Sequence, residues 1–144
     1  MDIFSPYIIA AAAGWVVAQL AKYVVASVKG HGLASFRRLY LSGNMPSSHS
    51  ATVVALLVVV AGIDGVQSGL FGVTFLFASV VLYDAMMVRR SSGEQGVALT
   101  ALLNEQHSKV VKPRVAMGHT PLEVAVGSLL GLIIGLTVLT LYTI

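Results

Sequence analysis

Apolar residues run along this chain in long blocks, and the strongly polar positions fall between the blocks. From Tyr7 to Val28 only Gln19 and Lys22 interrupt an apolar stretch of 22 residues, enough to cross a hydrocarbon core of about 30 Å as a helix. Lys22 lies near the end of that block, where its stem can snorkel toward the headgroups. A cleaved signal peptide is the competing reading, and Asp2 with no Lys or Arg ahead of the block argues against it. The segment from Lys29 to Asn44 carries three Gly and the Arg37, Arg38 pair and reads as a loop or a short interfacial helix. With Pro46 at its opening, a second block from Ser47 to Ile63 supplies a short span. Asp64 to Gly69 is a tight turn, and Leu70 to Val88 is a third span ending on Arg89 and Arg90.

Ser91 to Glu94 has the S-x-x-E form of a capping box. The amphipathic stretch behind it predicts a short helix lying in the interface. Lys109 to Met117 is a polar linker, and the last span runs from Pro121 to about Thr143. Its start is a second capping box, Thr120-Pro121-Leu122-Glu123, with Pro at N1 and Glu at N3. Gly127, Gly131 and Gly135 recur every four residues inside it and let another helix approach closely. That face packs either inside the bundle or against a second copy as a homodimer. The expected fold is all-α: a polytopic membrane helix bundle of about four transmembrane helices (7–28, 47–63, 70–88, 121–143) plus the short interfacial helix, in one integral membrane domain over residues 1–144.

Composition agrees. Charged residues make up 10% of the chain and hydrophobic ones 56%, against about 25% charged in soluble domains. With no cysteine, a disulfide framework, a thiolate nucleophile and a Cys-ligated metal are all excluded. Four spans place both long polar connections, residues 29–46 and 89–120, on one membrane side. Eight of the nine basic residues lie there, Lys22 being the exception, and so do all four histidines. The net charge of +3 therefore speaks of one anion-binding face and gives no reason to expect nucleic acid. By the positive-inside rule that face is cytoplasmic, and the expected location is the plasma membrane of a bacterium.

Two histidines occupy equivalent places on this face. His49 falls in the first turn of the second span, within MPSSHSAT, and His119 falls just before the fourth, within GHTPLE. A helix N-terminus offers free N–H groups and partial positive charge, a ready site for an anion. Ser47 and Ser48 add hydroxyls, while Arg89, Arg90 and Arg114 add guanidinium forks suited to phosphate oxygens. His119 and Glu123 are four apart, so the carboxylate can accept one ring N–H and leave the other nitrogen free as a nucleophile. His49 is then placed to protonate the leaving oxygen. Glu123 is at the same time fully explained as a capping residue, and its oxygens suffice for both roles. Asp84, inside an apolar run, reads as one half of a structural ion pair with an arginine. His31 and His107 read as solvated loop residues.

PSSH (Pro46 to His49) with the downstream Arg-x4-His-x3-Glu (Arg114, His119, Glu123) resembles the type 2 phosphatidic acid phosphatase superfamily, which also contains the vanadium-dependent haloperoxidases. GNMPSSHSAT, YDAMMVRR (Tyr83 to Arg90) and GHTPLEV together look closer still to its small divergent branch of uncharacterised membrane proteins. The resemblance implies a metal-independent phosphatase with a phosphohistidine intermediate and no cofactor. It places the nucleophile at His119, the carboxylate partner at Glu123, the acid at His49 and a phosphate clamp at Arg114. This chain departs from the superfamily pattern at Ser48 (usually Gly), at Glu123 (usually Asp), and in having four rather than five residues between Arg114 and His119. The superfamily's first motif, a Lys and an Arg separated by six residues and followed by Pro, has no match from Lys29 to Arg37. Arg89 and Arg90 stand in for the missing cations.

Two functions follow as expectations. One is hydrolysis of a lipid or isoprenyl phosphate or diphosphate, with the tail held between helices among membrane lipids. The other is binding or transport of such a lipid phosphate without turnover.

Overall fold

The computed structural model describes residues 5–28, 45–113, 115 and 118–143. Among these the chain is helical, as the apolar blocks predict. Helix α1 spans Pro6–Val28, α2 Ser48–Ile63, α3 Gly69–Glu105 and α4 Pro121–Thr143. Of these, α1, α3 and α4 are long and apolar enough to cross a membrane. At 16 residues α2 is shorter, about 24 Å, and it is the central element. It packs most extensively against α4, then α1, then the first half of α3.

The core is built from small residues at four-residue spacing, the register that keeps one face of a helix turned inward. On α1 the buried positions are Pro6, Ala10, Gly14, Ala18 and Lys22. On α4 they include Gly127, Gly131, Ile134 and Gly135. A Cβ at Gly131 would stand 2.9 Å from Ala51 Cα, and one at Gly135 would stand 2.8 Å from the Ala55 carbonyl. The glycine row thus lies directly on the α2 backbone. Of the two uses expected of it, packing inside the bundle is the one seen, and the face proposed for a homodimer is occupied by the chain's own α2. Ala10, Ala55, Val59 and Ile134 close the far half of the core. Beyond them Tyr7 Oη donates to Asp64 Oδ2 at 2.6 Å, tying the start of α1 to the end of α2.

The Ser91 capping box does not start a helix. Residues 69–105 form one continuous helix of 37 residues, about 56 Å long and nearly twice the hydrocarbon core. The separate interfacial helix expected from Ser91 is therefore the outer half of α3. An S-x-x-E sequence caps a helix only where the preceding chain leaves helical geometry, and the apolar block before it continues to supply carbonyl acceptors. Glu94 instead takes Arg90 Nε at 3.2 Å, one turn back, and Ser91 Oγ accepts from Gln95. The one irregularity along α3 is a wide π-turn over Asp84–Val88.

Candidate active site

Four elements converge where α2 and α4 begin. Ser47 N–H donates to the Glu123 carbonyl at 3.2 Å, so the two helix N-termini lie side by side. Each is capped as its sequence dictates. At α2, Ser47 Oγ accepts from Ser50 N–H at 3.4 Å and from Ser50 Oγ at 2.8 Å. At α4, Thr120 N–H donates to Glu123 Oε2 at 2.9 Å and Glu123 N–H donates to Thr120 Oγ1 at 3.3 Å, a complete capping box.

His119 is 4% exposed and held at both ends. Its backbone N–H donates to the Ala85 carbonyl in the α3 π-turn at 3.0 Å, and its Nδ1 lies 3.2 Å from Glu123 Oε2. The cap and the imidazole therefore share one carboxylate oxygen. With Nδ1–H donating to Glu123, Nε2 is unprotonated and carries the lone pair a nucleophile needs. Burial pushes the His119 pKa below the usual 6.5, and the nearby charges of Lys22 and Arg89 push the same way, against the opposing pull of Glu123. The neutral ring is the favoured form at neutral pH.

Lys22 comes to this site from α1, and sequence reasoning placed it elsewhere, snorkelling to the headgroups. It is 6% exposed, its Nζ reaching Ser48 Oγ at 3.5 Å and lying within electrostatic reach of Glu123. Two signals for this were present in the sequence. Lys22 continues the Ala10, Gly14, Ala18 register, which points it into the bundle. It is also separated from Lys29 by six residues, the first-motif spacing with Lys in place of Arg and no Pro. Lys29 lies outside the described residues.

The other expected residues divide. His49 is exposed, in the first turn of α2, with Arg89, Lys22 and His119 within electrostatic reach. Ser48 is buried as the partner of Lys22, and the Ser47 hydroxyl is committed to its cap. Arg89 belongs to the site, its Nε bonded to Asp84 Oδ2 at 2.6 Å, the ion pair expected of that carboxylate. Arg90 is paired with Glu94 in a more open setting, the two side chains 59% and 68% exposed. Arg114, Arg37, Arg38 and His31 lie outside the described residues. Gly118 sets the approach of the His119 loop: a Cβ there would fall 2.7 Å from Arg90 Cα, so only glycine lets the loop lie against α3.

A family model described as the Divergent PAP2 family matches residues 4–134. The chain belongs to this family. It is also 38% identical over 110 residues, 66% of this chain and 70% of the relative, to "Uncharacterized membrane protein YuiD" of Bacillus subtilis (strain 168). No solved structure matches. The protein is thus an integral membrane protein of a family compatible with phosphatase chemistry.

The two functions of Glu123 can be separated by substitution. Glu123→Gln retains an oxygen for Thr120 N–H but removes the charge that holds the His119 tautomer. Thermal stability in micelles is expected to change by less than about 0.5 kcal/mol, while the phosphate release proposed below is expected to fall roughly a hundredfold. Equal loss of both would leave Glu123 as a cap alone.

Proposed function

We propose that this protein is a membrane-embedded, metal-independent phosphatase acting on a lipid or isoprenyl phosphate or diphosphate. The observation that carries the reading is a buried imidazole whose Nδ1 is held on Glu123, set beside a buried lysine. Among the described residues that lysine makes one side-chain hydrogen bond, a long one to Ser48, with Glu123 within electrostatic reach. A buried ammonium so weakly paired is costly unless an anion completes it, and a phosphoryl group bound at two helix N-termini is such an anion.

His119 Nε2 attacks phosphorus in line. Lys22, Arg89 and the N-terminal N–H groups balance the charge on the equatorial oxygens. Arg114 is carried as a further clamp on family resemblance. The P–O bond breaks as His49 protonates the leaving oxygen, giving a free alcohol or a shorter phosphate ester and phosphohistidine at His119. Deprotonated His49 then takes a proton from water, whose oxygen attacks the phosphohistidine, releasing inorganic phosphate and restoring His119. A site at helix starts receives the headgroup while the tail stays between helices. The concentration of basic residues at this end supports its facing the cytoplasm across a bacterial plasma membrane.

A second reading, binding or transport of a lipid phosphate without turnover, is favoured by one observation: Arg89 and Arg90 are already paired with Asp84 and Glu94. One assay separates the two. The purified protein, given isoprenyl mono- and diphosphates and phosphatidic acid with EDTA present, is expected to release phosphate. Its acid limb of kcat/KM should lie below pH 6.5, because a lowered His119 pKa keeps the nucleophile neutral until the pH falls past it. Tight binding of these lipids without release across the panel would establish the second reading. Release lost in EDTA and restored by a divalent ion would overturn the metal-independent one.

A further inference from the structure

Asp84 is a carboxylate inside an apolar block, and the hydrolysis steps above make no use of it. Such a group is retained where a partner offsets its desolvation, and here the partner is Arg89 Nε at 2.6 Å. Their meeting depends on the backbone. Positions five apart stand about 140° apart around an α-helix at 3.6 residues per turn and do not face each other. The i→i+5 closure of a π-turn brings them back over one another. At Asp84–Val88 the chain makes that turn, and Arg89 N–H bonds to the Asp84 carbonyl. In a regular helix Arg89 N–H would bond to the Ala85 carbonyl; here that carbonyl accepts His119 N–H at 3.0 Å. One irregular turn thus sets the position of a guanidinium and of the proposed nucleophile.

We propose that Asp84 is a positioning residue for the phosphate: it holds Arg89 by the Nε edge so that the four Nη N–H donors are presented to the anion, in fixed relation to His119. The proposal rests on the phosphate-site reading above. A guanidinium has five N–H donors in one plane. Committing the Nε–H to Asp84 leaves the terminal fork, which matches two phosphate oxygens. Arg90, on the next residue, is held by Glu94 one regular turn on; Gly118 lies against its backbone, and among the described residues the hydrogen bond from the His119 loop to α3 goes to Ala85.

The sign of the effect makes the test decisive. By charge alone, removing a carboxylate beside an anion site tightens anion binding. If Asp84 positions Arg89, removing it loosens binding. Titration of the full chain in micelles with inorganic phosphate, followed by calorimetry, is expected to show Asp84→Ala weakened about tenfold. Asp84→Asn keeps the shape and one acceptor, and should lie between Asp84→Ala and the wild type. Arg89→Ala should lose at least as much as Asp84→Ala, and the double variant no more than Arg89→Ala, since the two act as one unit. Tighter or unchanged binding in Asp84→Asn, or additive losses in the double variant, would overturn the role of Asp84 while leaving the phosphate site intact. No phosphate binding by the wild type would overturn both. Phosphate binding with this pattern but no turnover would uphold Asp84 and remove only the hydrolytic reading.

Discussion

His119→Gln is expected to lower phosphate release by about a thousandfold or more, with the bundle still folded. The size follows from the role: a covalent nucleophile and the general acid that serves it act as a unit, and removal of either costs most of the chemical step. Glutamine fills much of the imidazole volume and its amide can still donate to Glu123 Oε2, so the packing around a side chain that is 4% exposed is disturbed little. Its backbone N–H to the Ala85 carbonyl is untouched. Binding of inorganic phosphate should therefore survive, because Lys22, Arg89 and the helix N-termini remain, while kcat falls. The check is phosphate release beside phosphate titration on the same micellar sample. Release equal to wild type would remove His119 as nucleophile, and with it the phosphohistidine.

The second large effect is structural. In Gly131→Leu the new Cβ would stand 2.9 Å from Ala51 Cα, against backbone that no rotamer change can move. α2 and α4 must separate, and overpacking of this kind costs about 3 kcal/mol. The consequence reaches the site, because the Ser47 to Glu123 hydrogen bond that aligns the two N-termini lies at the end of the same interface. Loss of phosphate release is expected together with a lowered denaturation midpoint in micelles. Gly72→Leu is the matched control. A Cβ at Gly72 meets nothing within 4 Å, and a leucine there is expected to leave release unchanged and the midpoint no lower than that of the wild type, since helix propensity favours Leu over Gly. Equal midpoints for Gly131→Leu and wild type would mean that the glycine row is not the α2 contact.

These expectations draw on two kinds of information. The apolar blocks, the Thr120 to Glu123 cap, the close-approach glycines and the placing of His49 and His119 at helix starts were readable along the chain. Each depends on residues within a few positions of one another or on a run of apolar side chains seeking lipid. Features that depend on two distant segments meeting were not. Lys22 stands on the Ala10, Gly14, Ala18 register that turns it inward, but which side chain it meets is decided by the packing of α1 on α2, which buries it beside Ser48. The glycine row allows a neighbour without naming it, and α2 is the neighbour that takes it. Ser91 to Glu94 satisfies the pattern of a helix start, yet helix propagation through Val88 overrides it, since a continuing helix costs less than a new nucleus. The π-turn has no repeating signature: one extra residue in a helix shifts the register by five instead of four. Its worth lies in the Asp84–Arg89 pair it aligns and in the Ala85 carbonyl it releases, which meets His119 only once the loop before α4 has folded back onto α3.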